Sequence, residues 1–269
     1  MSGIDKALLR RRFNQRAASY DAGAALQRWM ADLLVEEILS PLAAGGGPRR
    51  VLEIGCGTGY LTARLAALWP AAAITAVDFA PGMIERARRR LQARPVRWII
   101  ADVEEGEIGG EFDLIVSSAT FQWLTAPKAT LRRLTAQLAS DGLFAFAAFV
   151  GGTFRELAVA FRLAERRLGV PRGSHCPPMP SSRAWRRFLE DEGMRLVVWR
   201  EGQRTQAYPD ARTFLHAVKA IGAAHPGRSA TPPRVVREML ALYERYFRLP
   251  GGGVRTTYRM LWAAARRRA

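Results

Sequence analysis

The chain has 269 residues, 49% of them apolar with 12 Phe and 7 Trp, a composition that excludes a disordered polypeptide. Its formal charge is +17, and of its 41 basic residues only Lys6, Lys128 and Lys219 are lysines. Such a charge attracts nucleic acid, anionic lipid or acidic protein, and it equally describes a solvated basic surface. No run approaches ~18 consecutive apolar residues, and the N-terminal segment lacks a secretory leader's apolar core, so a cytoplasmic protein without a membrane span is expected. Cys56 and Cys176 are the only cysteines, which gives no disulfide framework and fits a reducing compartment.

Residues 4–40 read as two helices, with Phe13, Ala17 and Tyr20 near helical spacing and an apolar stripe through Leu26, Met30, Leu33, Leu34 and Ile38. Pro41 and the run Gly45–Pro48 break the pattern. Short apolar runs then alternate with helical patterns. The expected strands are Arg50–Ile54, Ala73–Asp78, Val96–Ala101, Phe112–Ser117 and Gly142–Phe149, and the helices between them are Tyr60–Trp69, Pro81–Gln92 and Pro127–Ala139. This alternation predicts βαβ units in a doubly wound, mostly parallel α/β sheet. Beyond residue 150 the rhythm changes. Helices are expected at Phe154–Leu168, Ser182–Glu192, 209–222 and 232–247, with a sixth strand at Met194–Arg200 and a last one at Thr256–Ala264. The simplest organisation is one domain: cap helices over 1–45, a core over 49–150, helical insertions at 151–192 and 208–250, and a final strand near 256–265.

The chemistry is carried by Val51–Tyr60, VLEIGCGTGY. Gly55, Gly57 and Gly59 follow a strand ending in Glu53–Ile54 and precede a helix, so the backbone can turn tightly and approach a ligand at a helix N-terminus. A dinucleotide site has the spacing G-x-G-x-x-G, whereas here the third glycine comes one residue early. Asp78 ends the second strand, where a carboxylate can accept from ribose hydroxyls, and Asp102 ends the third, where it can address adenine. A single strand-end aspartate is often only a cap or turn residue; three features on three successive strands make a nucleotide-type site.

These segments, with AVDFAPGMIERAR, ADVEE and FDLIVSSATFQWL, resemble the motifs of class I S-adenosylmethionine methyltransferases over about Arg50–Val150. The resemblance implies a seven-stranded Rossmann-like fold and S-adenosylmethionine as cofactor. It places Glu53, Gly55 and Gly57 near the methionine part, Asp78 and Phe79 at ribose and adenine, Asp102 and Val103 at the adenine amine, and Ala119 near the sulfonium. Met83 joins the cofactor-binding set. The flanks resemble the malonyl-acyl carrier protein O-methyltransferases that begin pimelate synthesis for biotin: Phe13–Asp21 (FNQRAASYD), Leu26–Gln27, Gln122–Trp123, Phe149–Leu157 (FVGGTFREL), Lys219–His225 (KAIGAAH) and Thr256–Tyr258 (TTY). The Arg- and Pro-rich stretch Arg167–Pro180 has no counterpart in that resemblance. It is a segment that can alter a substrate tunnel or lid.

Methylating a carboxylate needs no general base, because a carboxylic acid with pKa near ~4 is already ionised at neutral pH. The catalytic task is alignment and desolvation, and a buried carboxylate needs a cationic or hydrogen-bonding partner. The candidates are Tyr20, Gln122, Trp123, Lys219 and Arg255. By periodicity alone Tyr20 and Phe13 are core residues, Trp123 is a packing residue, and Lys219 is surface. The implied partner is an acidic malonyl-acyl carrier protein, for which the positive charge has a docking use. Arg10–Arg12, Arg88–Arg90 and Arg266–Arg268 read first as solvated surface. His175, His216 and His225 lack metal-ligand spacing, so no metal is expected, and Cys56 reads as a packing residue. Rival readings are a methyltransferase for trans-aconitate or another small metabolite, a nucleic-acid methyltransferase, and a cofactor-binding protein without catalysis. Ser117–Thr120 reads SSAT, not a nucleic-acid methyltransferase tetrapeptide, and no RNA-binding module is visible.

Overall fold

The computed structural model describes residues 4–42, 46–106, 108–220 and 231–267. The apolar runs become strands β1 (Arg50–Ile54), β2 (Ala73–Asp78), β3 (Val96–Ile100), β4 (Phe112–Ser118) and β5 (Leu138–Phe149). With β6 (Arg195–Tyr208) and β7 (Val254–Arg266) they form one sheet in the order β3-β2-β1-β4-β5-β7-β6. The first five strands run parallel, and β7 is antiparallel to both β5 and β6. Strand order reverses between β1 and β4, which opens a crevice at the carboxyl ends of the central strands.

Side chains of a strand alternate between faces, so each strand feeds two cores. Val51, Leu114, Met260 and Trp262 face one core, with Leu26, Met30, Leu34, Phe161 and Tyr243. Leu52, Ile115, Leu261 and Ala263 face the other, with Phe121, Phe144, Phe146, Trp185 and Leu189. The helices that supply these layers are α1 (Lys6–Arg16), α2 (Tyr20–Gly23), α3 (Ala25–Leu33), α4 (Ser40–Leu42), α5 (Tyr60–Leu68), α6 (Pro81–Arg90) and α7 (Pro127–Ala136). After β5 come α8 (Arg155–Arg167), α9 (Ser182–Asp191), α10 (Ala211–Ala220) and α11 (Pro233–Tyr246). Among the described residues no helix is long and apolar enough to cross a membrane.

Several boundaries differ from expectation for physical reasons. The N-terminal region is more broken than two helices: the chain turns after α1, and α3 passes through a π-helical segment at Leu34–Leu39 before α4. Near that segment the Trp262 indole N–H donates to the Met30 carbonyl at 3.0 Å. Strand β6 runs to Tyr208, well past Arg200, because every residue from Trp199 onward pairs with β7 although its outer half is polar. As part of an edge strand half in solvent, that outer half shows no apolar run. Strand β3 stops at Ile100, so Asp102 sits in the turn beyond the strand and not at its last residue. The KAIGAAH segment is described only to Ala220; the rest, with His225, lies outside the described residues.

Candidate active site

Turn geometry at the end of β1 sets the site. Gly55, Gly57 and Gly59 all have positive φ, +69°, +54° and +80°, a region costly for residues with a Cβ. Their surroundings differ. A Cβ on Gly55 would meet Thr120 Oγ1 at 2.1 Å, and one on Gly59 would meet Ala87 at 2.9 Å, so these two glycines allow close packing. A Cβ on Gly57 would meet nothing within 4 Å, because that position faces open space. The Gly57 N–H donates to Asp78 Oδ2 at 3.0 Å and the Ala80 N–H to Asp78 Oδ1 at 2.8 Å. Burial nevertheless pushes the Asp78 carboxyl up to about 6.

Glu53 lies deeper, 1% exposed, and its Oε2 has no hydrogen-bonding partner. Burial, with the Asp78 charge adding to it, pushes its carboxyl up to about 8. Ser118 Oγ and Gln122 Oε1 are also buried and unpartnered, while Gln122 Nε2 donates to the Ala119 carbonyl at 2.6 Å. Ala119 itself has φ +52°, a strained conformation for a residue with a side chain, at the turn after β4. Thr120 Oγ1 donates to the Gly55 carbonyl at 3.3 Å, and that bond ties this turn to the glycine loop.

A roof covers the crevice. Helix α1 is capped by Asp5, whose carboxylate accepts from the Leu8 N–H, and presents Lys6, Leu9 and Phe13 on one face. The Phe13 ring centroid lies 6.0–6.3 Å from those of Trp123, Phe79 and Tyr20, giving one aromatic cluster. Lys6 Nζ is 3.1 Å from Asp102 Oδ2 and 2.6 Å from Glu104 Oε2. Glu104 also accepts from the backbone N–H groups of Thr125 and Ala126; against the burial that opposes ionisation, Lys6 and these donors hold its carboxyl below the usual range. Asn14 Oδ1 accepts from the Gly82 N–H at 2.6 Å, and the Asp21 carboxylate accepts from Thr58 Oγ1 and pairs with Arg90. Burial first, then the Asp78 and Asp21 charges, raise the Tyr20 hydroxyl well above the ordinary phenol range, so it remains a donor.

Three cavities meet under this roof. The first, about 680 Å³, is lined by Lys6, Gly55, Gly57, Asp78, Phe79, Met83, Asp102 and Val103, among others. The second, about 420 Å³, is largely apolar and lined by Gln27, Gln122, Phe149, Phe154, Met179 and Tyr258, with Phe13 and Trp123 shared with the first. A third, about 440 Å³, reaches Glu53, Ser118 and Arg28. Tyr20 and Ala119 line all three.

A family model described as a methyltransferase domain matches residues 51–142. The malonyl-acyl-carrier-protein O-methyltransferase of Anoxybacillus flavithermus is 39% identical over 263 residues, covering 96% of this chain and 96% of the relative. The protein of the same name from Geobacter sulfurreducens is 39% identical over 281 residues, 98% of this chain and 100% of its own. The chain belongs to the malonyl-acyl-carrier-protein O-methyltransferase family. Among solved structures, the BH2331 protein of Bacillus halodurans superposes with a TM-score of 0.61 at 14% identity, over 86% of this chain and 97% of its own. The plantazolicin methyltransferase BpumL, solved with S-adenosylhomocysteine, superposes at 0.51 and 15% identity, over 97% and 95%. At these identities the likeness is one of fold.

In this methyltransferase the residues singled out in the sequence separate into two groups. Gly55, Gly57, Asp78, Phe79, Met83, Asp102, Val103 and Ala119 all line the first cavity, and Glu53 lines the third. Tyr20 and Trp123 stand between the first and second cavities, and Gln122 lines the second. Lys219 and Arg255 are not brought there. Lys219 is exposed on the last turn of α10, whose buried face is Ala211, Phe214 and Val218. Arg255 falls on the face of β7 opposite Thr256 and Tyr258, exposed, with its guanidinium 6.0 Å from the Phe247 ring centroid. Neither lines any of the three cavities.

Lys6 and Met179 are among the lining residues that were not anticipated from the methyltransferase sequence. Lys6 had a usable signal: it is one of three lysines and stands seven residues before Phe13 on the same helix. Met179 had none, because it sits in an aperiodic Pro-rich stretch. The FVGGTFREL signature proves to be a corner. Thr153 Oγ1 donates to the Arg259 carbonyl at 2.9 Å, and the buried Glu156 carboxylate accepts from the Thr257 N–H and hydroxyl. These bonds lock β5 and α8 onto β7 and bring Phe149, Phe154 and Tyr258 to one wall of the second cavity. The Cys56 thiol is buried and raised well above its ordinary value, which leaves it un-ionised.

Proposed function

We propose that this enzyme methylates the free carboxylate of a malonyl thioester carried on acyl carrier protein, using S-adenosylmethionine, at the start of pimeloyl synthesis for biotin. The observation that carries the reading is the meeting of three cavities at Tyr20 and Ala119. It provides one compartment for a nucleoside, one for an amino-acid moiety and one for an acyl group, all converging on one point.

The residues present fit this cofactor. Glu53 Oε2, buried and unpartnered, offers an acceptor to an ammonium group, and Gly57 leaves the space that a Cβ would fill. Asp78 and Asp102 offer acceptors to hydroxyl and amine donors, and the Phe79 ring offers a flat apolar face. When bound, S-adenosylmethionine supplies an electrophilic methyl group attached to a cationic sulfur.

The chain's own contribution is placement and desolvation. Among the described residues, none lining the second cavity is Lys, Arg or His. The described donors that a carboxylate there meets are neutral, the Tyr20 hydroxyl and the Gln122 carboxamide foremost, while aromatic rings exclude water. Neutral donors orient a carboxylate without quenching it in an ion pair, and orientation of this kind is worth up to roughly 7–11 kcal/mol. No general base is required, since the substrate acid arrives ionised. The net charge of +17 supports docking of an acidic carrier.

The test is transfer of label from methyl-labelled S-adenosylmethionine to malonyl-acyl carrier protein, trans-aconitate or RNA. Labelled malonyl-acyl carrier protein with a base-labile ester is the expected result. Efficient transfer to either alternative without transfer to the malonyl thioester would overturn the assignment.

A further inference from the structure

The Arg- and Pro-rich stretch runs between α8 and α9 largely as irregular chain, from Gly169 to Ser181, and it is pinned at two points. The first pin is Glu165 on α8, 3% exposed. Its Oε1 accepts from the Gly173 N–H at 2.6 Å and lies 2.6 Å from His175 Nε2. An ionised carboxylate only accepts, so Nε2 carries the proton, and Nδ1 faces Thr231 Oγ1 at 3.2 Å. The imidazole stacks on Phe161 with centroids 3.8 Å apart and planes 12° from parallel. A Cβ at Gly173 would meet the His175 ring at 2.7 Å and Glu165 Oε1 at 3.2 Å, so glycine is what lets one oxygen reach both donors.

The second pin is Gly151, whose N–H donates to the Pro180 carbonyl at 3.0 Å. A Cβ there would lie 3.4 Å from the Met179 carbonyl, so the two backbones run in contact. Between the pins, Met179 enters the wall of the second cavity. The aromatic wall beside it is made of rings fixed against one another: Tyr258 packs on Phe149 and Phe154 at 5.9 and 5.2 Å, and Phe154 packs on Phe214 at 5.5 Å. Met179 is the unbranched, deformable apolar side chain of that lining.

We propose that Met179, held in place by the Glu165–His175 pair, limits the length of the acyl group this methyltransferase accepts and disfavours diacid thioesters longer than malonyl. The inference rests on the second cavity being the acyl compartment. In an apolar pocket each methylene gained or lost changes selectivity about 10–200-fold, so a single side chain at the wall is enough to set the limit. Glu165 and His175 touch no substrate in this scheme; they are positioning residues.

The experiment compares kcat/KM for malonyl, succinyl and glutaryl thioesters of one acyl carrier protein in wild type, Met179→Ala, His175→Ala and His175→Gln. S-adenosylhomocysteine affinity is measured in each as the readout of folding. Met179→Ala is expected to raise the glutaryl-to-malonyl ratio about 10-fold or more with cofactor-site affinity kept. His175→Ala is expected to move the ratio the same way, and His175→Gln, which can still donate to Glu165, to restore it. An unchanged ratio in Met179→Ala, with S-adenosylhomocysteine still bound, overturns the proposal. If that variant loses the ligand, the same ratio in Met179→Val decides by the same criterion. Wild type that transfers no methyl group to malonyl-acyl carrier protein overturns the substrate reading itself, an outcome separate from any change of ratio.

Discussion

Replacing Glu53 by glutamine removes a charge that the folded chain resists forming. The carboxyl is 1% exposed, and burial pushes it from an ordinary 4.5 up to about 8. Between those values the folded state holds a proton that the unfolded state has released. Stability is therefore full below the unfolded value and is lost as pH rises toward 8. At ~1.4 kcal/mol per pH unit, the loss between pH 5 and pH 8 is on the order of 4 kcal/mol. A carboxamide has no such slope. Urea unfolding of cofactor-free wild type and E53Q at both pH values separates the contributions. The gap at pH 5 measures the exchange of acid for amide, and the change in the gap measures the titration. Asp78, pushed up to about 6, titrates within the same window in both proteins and largely cancels. The variant should gain on wild type by about 2–4 kcal/mol between pH 5 and pH 8. Its S-adenosylhomocysteine affinity should fall at least ~10-fold at pH 8 through loss of a charged acceptor. A gap of the same size at both pH values would refute the argument.

Gly57→Ala should fold at a cost of about 1–2 kcal/mol for its left-handed backbone, yet lose S-adenosylhomocysteine binding because the new methyl occupies the cleft. Gly55→Ala, which adds a collision with Thr120 to the same backbone strain, should be the more destabilised of the two by circular dichroism melts. Lys6→Ala should weaken S-adenosylhomocysteine binding and cost about 1–3 kcal/mol by leaving Asp102 and Glu104 facing each other without a cation; Lys6→Arg should recover most of both in calorimetry. Lys219→Ala and Arg255→Ala, at exposed positions outside all three cavities, should change stability by no more than about 0.5 kcal/mol and leave kcat/KM on the malonyl thioester near wild type.

What the sequence disclosed and what it withheld follow from the range of the forces involved. Strands β1 and β2 appear in the sequence with their observed ends, because β1 terminates in a glycine loop and β2 in an aspartate that caps the next turn. The first cavity, the proposed cofactor compartment, was legible for the same reason: its parts lie within a few residues of strand ends, and sheet topology brings those ends together. The second cavity, the proposed acyl compartment, was legible only in part. Tyr20, Gln122 and Trp123 were found through motifs, but Met179 arrives through a segment held by tertiary bonds to Glu165 and Gly151. Lys219 and Arg255 stand apart from the three cavities for a complementary reason. Their motifs surround residues that do matter to packing, Val218 and Tyr258 among them, while the charged neighbours point outward.

The roof over the crevice docks on turns that follow β2, β3 and β4. Polar ties hold much of it there: Lys6 to Asp102 and Glu104, Asn14 to Gly82, Asp21 to Thr58 and Arg90. The ion pairs among them weaken with ionic strength, whereas the apolar layers beneath do not. The pocket's front wall is thus secured by a different force from its floor. Raising the ionic strength is therefore expected to weaken the attachment of that wall before it affects the sheet.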